Sequence, residues 1–151
     1  MKELTEIEVK IKTTDNIALN YETEWACAFD FKASEDVEIA PWQAGMIETG
    51  TVIEVPKGCM LMLAPRSSTY KKLGSWWLIL VNSVWIIDND YCWDTDSVKF
   101  VYLNTGKETC FIKKWDRIWQ GVFVQIKKAN FKYVEKMNNK DRGGFGTTWL
   151  K

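Results

Sequence analysis

Apolar residues recur at every second position along this chain, and no window sustains the 3.6-residue period of a helix. "LTEIEVKIK" sets Ile7, Val9 and Ile11 on one face, and "DVEIAP" and "TVIEVP" repeat the pattern on a smaller scale. Successive side chains of a strand point to opposite faces, so this alternation predicts strands with one face to bury. "CMLMLA", "LILVNSV", "VKFVYL" and "GVFVQI" read as strands buried more fully. Turn signals separate these segments at short intervals: "APWQAG", "ETG", "VPKG", "DND", "NTG" and "KAN". Only "STYKKLG" suggests helix, a turn or two stopped by Gly74. Many short strands in 151 residues predict an all-β fold, a jelly-roll-like barrel with at most a short helix. There is no internal repeat, low-complexity block or linker. One domain is expected over residues 1–136, followed by a polar, glycine-rich and mobile tail over 137–151.

Charge removes several function classes. Twenty basic and twenty acidic residues cancel, which leaves no field to hold a nucleic-acid backbone. Apolar runs such as "SWWLILV" are too short to span a bilayer, and "MKELTEIEVK" lacks the apolar core of a signal peptide. The cytoplasm is the expected compartment. Cys27, Cys59, Cys92 and Cys110 form no C-x-x-C pair, and each is expected to be a small buried hydrophobe. The chain has no histidine, so imidazole bases, histidine zinc sites and histidine triads are excluded. Acid–base chemistry falls to carboxylate, tyrosine, lysine or water.

Four stretches could carry chemistry. In "LAPRSSTY", Arg66 can fork onto two phosphate oxygens while Ser67 and Ser68 donate from the same turn. A helix starting after the serines would add backbone N–H groups aimed at the same anion; a serine cap beside a surface arginine is the plainer alternative. In "DRGGFGTT", glycines such as Gly144 let successive N–H groups converge, Arg142 adds charge and Phe145 offers a flat face for a base. A disordered tail would look similar, though an aromatic inside a glycine run favours a function. "IIDNDYCWD" sets Asp88 after two branched apolar residues with Tyr91 three positions on; the carboxylate could orient water and the ring could pack under a sugar. Turn-forming Asp and Asn would account for the acidic residues equally well. "KKWDRIWQGVFVQ" offers Gln120 as a polar donor at a strand entry, with Asp116 and Arg117 read as a solvated or interfacial ion pair.

Taken in order, these stretches resemble the trimeric dUTPase family over nearly the full length. The five family motifs appear as "CAFDFKA", "PRSS", "NSVWIIDNDYCWD", "WDRIWQGVF" and "RGGFGTTW". The resemblance implies a jelly-roll-like homotrimer with active sites at subunit boundaries, hydrolysing dUTP to dUMP and pyrophosphate with Mg2+. By motif position, Asp88 would orient the water that attacks the α-phosphorus, and Asp30 would support the magnesium through its water shell rather than bind it directly. Arg66, Ser67 and Gln120 would hold the phosphate chain, and Arg142 would clamp its far end. Tyr91 would sit under the deoxyribose. Asn82 and the main chain after it would read the uracil edge. Phe145, in a tail from another subunit, would stack over the base. Positioning and charge neutralisation carry most phosphoryl chemistry, which is how such an enzyme dispenses with histidine.

The chain departs from the family pattern at its tryptophans. The family expects glycine where Trp85, Trp93, Trp115 and Trp149 stand and a small residue at Trp119; Trp25 and Trp42 fall at turn positions where glycine is frequent. Ala28 stands where glycine is common, and "SWW" at 75–77 resembles an insertion. At a position with φ > 0 a tryptophan would be strained by roughly 1–2 kcal/mol. Trp85 is expected to narrow the base site, and Trp115 and Trp119 to crowd the phosphate side or a subunit contact; outward or interface-filling rings are the alternative. Three functions follow: a dUTP diphosphatase, a trimeric binding or scaffold protein whose sites tryptophan blocks, and a dCTP deaminase, which shares the fold but fits "IDNDY" and the tail less well.

Overall fold

The computed structural model describes residues 6–15, 17–72, 77–117, 119–141 and 143. In chain order the strands are β1 (Ile11–Thr13), β2 (Phe29–Phe31), β3 (Val37–Ile39), β4 (Ala44–Glu48), β5 (Thr51–Ile53) and β6 (Cys59–Pro65). One turn of helix, α1 (Thr69–Lys72), precedes β7 (Leu78–Leu80), β8 (Trp85–Ile87), β9 (Lys99–Asn104), β10 (Cys110–Ile112) and β11 (Trp119–Gln125). A four-stranded sheet in the order β2-β11-β6-β8 faces a three-stranded sheet β4-β9-β7 across the core, with β1-β5 and β10-β3 as separate pairs. Every pairing is antiparallel. This is the jelly-roll-like β fold read from the alternation, and α1 falls where "STYKKLG" put it.

Period-two burial organises the core. In β9, Phe100, Tyr102 and Asn104 are buried while their neighbours are partly open; in β6, Leu61 and Leu63 point inward. Phe31, Phe100 and Trp119 build an aromatic layer, with Phe100 stacked on Trp119 at a centroid distance of 4.6 Å. Asn104 is the polar rivet of this core. Its Nδ2 donates to the Ile39 and Glu108 carbonyls at 2.8 Å each, and its Oδ1 accepts the Gly106 N–H at 2.9 Å. One buried side chain thus satisfies the chain on both sides of the β9–β10 turn, as a polar group in this environment must.

Three expectations are corrected. The Ile7–Val9–Ile11 stripe is not a buried strand: β1 begins at Ile11, and Ile7 and Ile11 are exposed. β1 pairs β5 with Ile11 opposite Ile53, so the same register sets Pro56 opposite Glu8. Proline has no N–H to continue the ladder. "LILVNSV" does not run as one strand either, because Asn82 (φ 68°) and Ser83 (φ 60°) adopt left-handed backbone and turn the chain between β7 and β8. Of the cysteines only Cys110 is buried; Cys27 is exposed in a turn-rich segment, and Cys59 and Cys92 are half-buried. Among the described residues no helix is long and apolar enough to cross a membrane.

Candidate active site

β11 lies between β2 and β6, and its register sets Gln120 across from Asp30 on one side and Ala64 on the other. Asp30, flanked by the core residues Phe29 and Phe31, is itself buried at 6% exposure. Its Oδ1 meets Arg66 Nε at 2.8 Å, and its Oδ2 faces the Arg117 guanidinium at 3.4 Å without a hydrogen bond of good geometry. Arg66 donates a second bond to the Arg117 carbonyl at 2.9 Å, and Arg117 also pairs with Glu22. Gln120 Nε2 donates to the Pro65 carbonyl at 3.1 Å, fixing the strand end from which Arg66 leaves. Burial pushes the Asp30 carboxyl above its usual range, while Arg66 and Arg117 pull it back. The hydrogen bond between Arg117 and Glu22 holds the Glu22 carboxyl below its usual range and raises the guanidinium.

Ser67 and Ser68 follow Arg66 in a turn, one exposed and one half-buried. The anion-binding helix start expected there is slighter than anticipated. α1 is four residues long, and the Thr69 N–H already bonds the Arg66 carbonyl at 3.0 Å. An anion at this turn would meet side chains rather than free helix N–H groups.

A second cluster forms where β8 ends. Met46, Trp85, Ile86, Ile87, Asp88, Tyr91 and Lys99 line a cavity of about 260 Å³. Asp88 is exposed, and the loop after it is pinned by Asn89, whose Nδ2 reaches the carbonyls of Val55, Pro56 and Cys59 at 3.0, 2.8 and 3.0 Å. Tyr91 donates its hydroxyl to the Ser97 carbonyl at 3.2 Å, which holds the ring beside the cavity. Lys99, also on the lining, is paired with Glu48 at 2.7 Å, and that partner raises its ammonium. Trp85 is half-buried, and its indole N–H donates to the Val81 carbonyl at 2.6 Å, so the ring is fastened to the cavity wall. Asn82 sits in the turn before β8 and does not line this cavity.

The two clusters do not meet within one chain. β6 and β8 pair with Leu61 opposite Ile87, which puts Asp88 across from Met60. Arg66 lies six residues further along that line, about 20 Å at strand spacing. Asp30, Arg66 and Gln120 come together with Ser67 and Ser68 adjoining; Asp88 and Tyr91 come together elsewhere. Arg142, Gly144, Phe145 and Trp149 lie outside the described residues, as does most of the 75–77 insertion. Sequence reasoning missed Arg117, Glu22 and Asn89, and it missed Met46 and Lys99 as cavity walls. Trp119 does not crowd a phosphate subsite as expected: it is wholly buried in the core. Trp115 is partly exposed, with Lys114 Nζ 5.1 Å from its ring.

Among the described residues no three His, Cys, Asp or Glu side chains gather into a group that could hold a metal ion. A resident all-protein cage therefore does not fit these residues. A hydrated ion arriving with a phosphate chain asks less of the protein, and the isolated carboxylates here, Asp30 between two guanidiniums and the exposed Asp88, are the donors such an ion would meet through water. Mg2+ characteristically keeps several waters and binds through one or two carboxylates and substrate phosphates.

A family model described as dUTPase matches residues 8–149. A deoxyuridine 5'-triphosphate nucleotidohydrolase from Nautilia profundicola is 34% identical over 146 residues, covering 94% of this chain and 99% of that protein. The crystal structure of a dUTPase from Streptococcus mutans superposes with a TM-score of 0.72 at 29% identity, covering 82% of this chain and 98% of its own. A variant dUTPase from phage phi11 of S. aureus, whose structure details the coordination of a structural Mg(II) ion, shares the fold at a TM-score of 0.75 and 18% identity, covering 88% and 100%.

Proposed function

The chain belongs to the dUTPase family, and from that premise we propose that it hydrolyses dUTP to dUMP and pyrophosphate in a homotrimer whose sites are shared between subunits. The observation that carries this reading is the separation just described. Arg66, Ser67 and Gln120 gather at the end of β6, and Asp88 stands beside a cavity some 20 Å away, and on this reading each group is one half of a nucleotide site. Each half is incomplete alone, and a second copy of the chain supplies what is lacking.

In the assembled site Asp88 accepts a proton from water and orients it toward the α-phosphorus. Asn89 keeps that carboxylate in place by holding the loop to three carbonyls. Arg66, Ser67, Ser68 and Gln120 receive the phosphate chain. Arg66 is aimed for this by Asp30, and Arg117 keeps the buried carboxylate compensated when Arg66 turns to an anion. Tyr91 lies beneath the deoxyribose, and Asn82 with the main chain of the β7–β8 turn reads the uracil edge. The tail over 137–151, with Arg142, Gly144 and Phe145, closes over a neighbouring site, and residues 1–136 form the domain that carries it. Asp30 would hold Mg2+ through its water shell; when bound, the ion neutralises charge on the phosphate chain. Catalysis is then positioning and electrostatics. All four cysteines are thiols, which suits a reducing compartment and supports the cytoplasm as the place of action.

A second reading is favoured by Trp85. Its indole is anchored on the wall of the Asp88 cavity, so the same trimer could be a binding or scaffold protein with an obstructed base site. Pyrophosphate release from dUTP with Mg2+, compared with dCTP, dTTP and UTP, separates the two. The enzyme turns over dUTP alone; no turnover of any nucleotide at high protein concentration leaves the scaffold.

A further inference from the structure

Most of the described tryptophans of this chain stand where an indole contributes little to the fold. Nine are present; without Trp76 and Trp149, which lie outside the described residues, seven remain. An indole contributes by burying about 150–250 Å² and by giving its N–H a partner. Five of the seven rings are instead in solvent: Trp25 is 71% exposed, Trp42 66%, Trp77 53%, Trp93 77% and Trp115 46%. Trp42 and Trp115 also hold φ at 61° and 74°. In that region the Cβ of an L residue crowds the following carbonyl, a bulky residue is an outlier and glycine is at ease.

The main chain at these positions is used, while the rings lie largely in solvent, with Lys114 over Trp115 and Gly106 beside Trp77 as slight contacts. Trp42 N–H donates to the Asn104 carbonyl at 2.7 Å, and Trp115 N–H to the Ala33 carbonyl at 2.8 Å. The Trp77 carbonyl accepts both the N–H and the hydroxyl of Thr105. Trp93 N–H donates to the Asp96 carboxylate at 2.9 Å and its carbonyl accepts the Asp96 N–H, while Trp25 lies inside the turn closed by Ala26 N–H on the Thr23 carbonyl. Two rings are not mainly in solvent, and only one of them sits in the core. Trp119 is fully buried with its Nε1 unpartnered, and Trp85 occupies the wall of the Asp88 cavity. Backbone placed in turns, with the side chain surplus, is the signature of glycine.

Surplus rings at five of the seven described tryptophans point to one cause acting on a codon, not to separate substitutions. We propose that all nine tryptophan positions are glycine in the protein its own cell makes. Each would be encoded by UGA, a codon that different genetic codes read as stop, tryptophan or glycine. The cell's own protein then has eighteen glycines, nine plus nine, and no tryptophan. Glycine at 42 and 115 relieves the left-handed backbone. At 85 it removes the indole from the cavity wall and bares main chain three residues before Asp88, which opens the base site without touching the carboxylate.

The test is independent of any reaction. Sequencing of the gene is expected to read UGA at all nine positions, and peptide mass spectrometry of the protein purified from its source cells is expected to read glycine at each. UGG in the gene, or tryptophan in the peptides spanning Trp25, Trp42, Trp93 or Trp115, overturns the proposal. Two recombinant forms from synthetic genes, one with tryptophan and one with glycine at the nine positions, supply a physical check. The glycine form is expected to bind a non-hydrolysable dUTP analogue more tightly, and glycine at 42 and 115 alone is expected to raise the melting temperature, because those two tryptophans hold left-handed backbone. A Trp42→Gly, Trp115→Gly protein that melts lower than the tryptophan form would contradict the backbone reasoning behind the proposal.

Discussion

Two lesions that are each fatal alone should rescue one another when combined in different subunits. The perturbations are Arg66→Ala, in the cluster held by Asp30 and Gln120, and Asp88→Asn, in the cavity after β8. The β6–β8 register sets Asp88 opposite Met60, six residues from Arg66, or about 20 Å along the strand, too far for both to reach one phosphate group. In a cyclic trimer each site takes its Arg66 half from one chain and its Asp88 half from another. A site is whole when the first chain carries Asp88→Asn and the second carries Arg66→Ala. With the variants mixed in equal amounts and reassembled, each condition holds half the time, so about one quarter of full activity returns. The assay is pyrophosphate release from dUTP after mixed refolding, with subunit exchange followed by native mass spectrometry. Mixed trimers with no more turnover than the separate variants would refute the shared site, because a site built within one chain always contains a lesion.

Asn104→Ala should destabilise the fold by about 3 kcal/mol, since it leaves the buried Ile39 carbonyl and Gly106 N–H and the part-buried Glu108 carbonyl without their partner; urea denaturation measures it. Asn89→Ala should lower kcat more than it raises KM, with a stability loss of roughly 1–3 kcal/mol, because it frees the loop that carries Asp88 from three carbonyls; steady-state kinetics beside urea denaturation reads both. Burial raises the Tyr102 phenol above its ordinary value near 10. The folded state therefore keeps a proton that the unfolded chain releases, and the stability this contributes is whole below pH of about 10 and declines as pH rises beyond it. In an alkaline absorbance titration Tyr102 should ionise only together with unfolding.

Much of this fold is legible in the alternation of the chain. The period-two runs in "VKFVYL" and "CMLMLA" become β9 and β6 with the inward residues those runs imply. The Ile7 stripe misleads because alternation says which face a strand would bury but not whether a partner strand exists, and Pro56 removes the partner. Trp119 was within reach of the same rule. Trp119 and Gly121 point one way from β11 and Gln120 the other, so a core ring beside an outward amide follows from strand geometry. Arg117 was not legible. Its neighbour Asp116 accepts the Lys113 N–H within its own turn, while Arg117 reaches to Glu22 and Asp30, contacts that only the tertiary fold creates. Asn89 reads in sequence as a turn former, and nothing local announces three carbonyls drawn from the approach to β6 and its first residue.

The phosphorus that water attacks decides whether Asp88 does what is proposed for it. When dUTP is hydrolysed with Mg2+ in oxygen-18 water, attack oriented by Asp88 on the innermost phosphorus delivers the label to dUMP and leaves pyrophosphate unlabelled, and Asp88→Asn abolishes the labelled product. Label in pyrophosphate, or undiminished labelling of dUMP by the Asp88→Asn protein, would contradict the account.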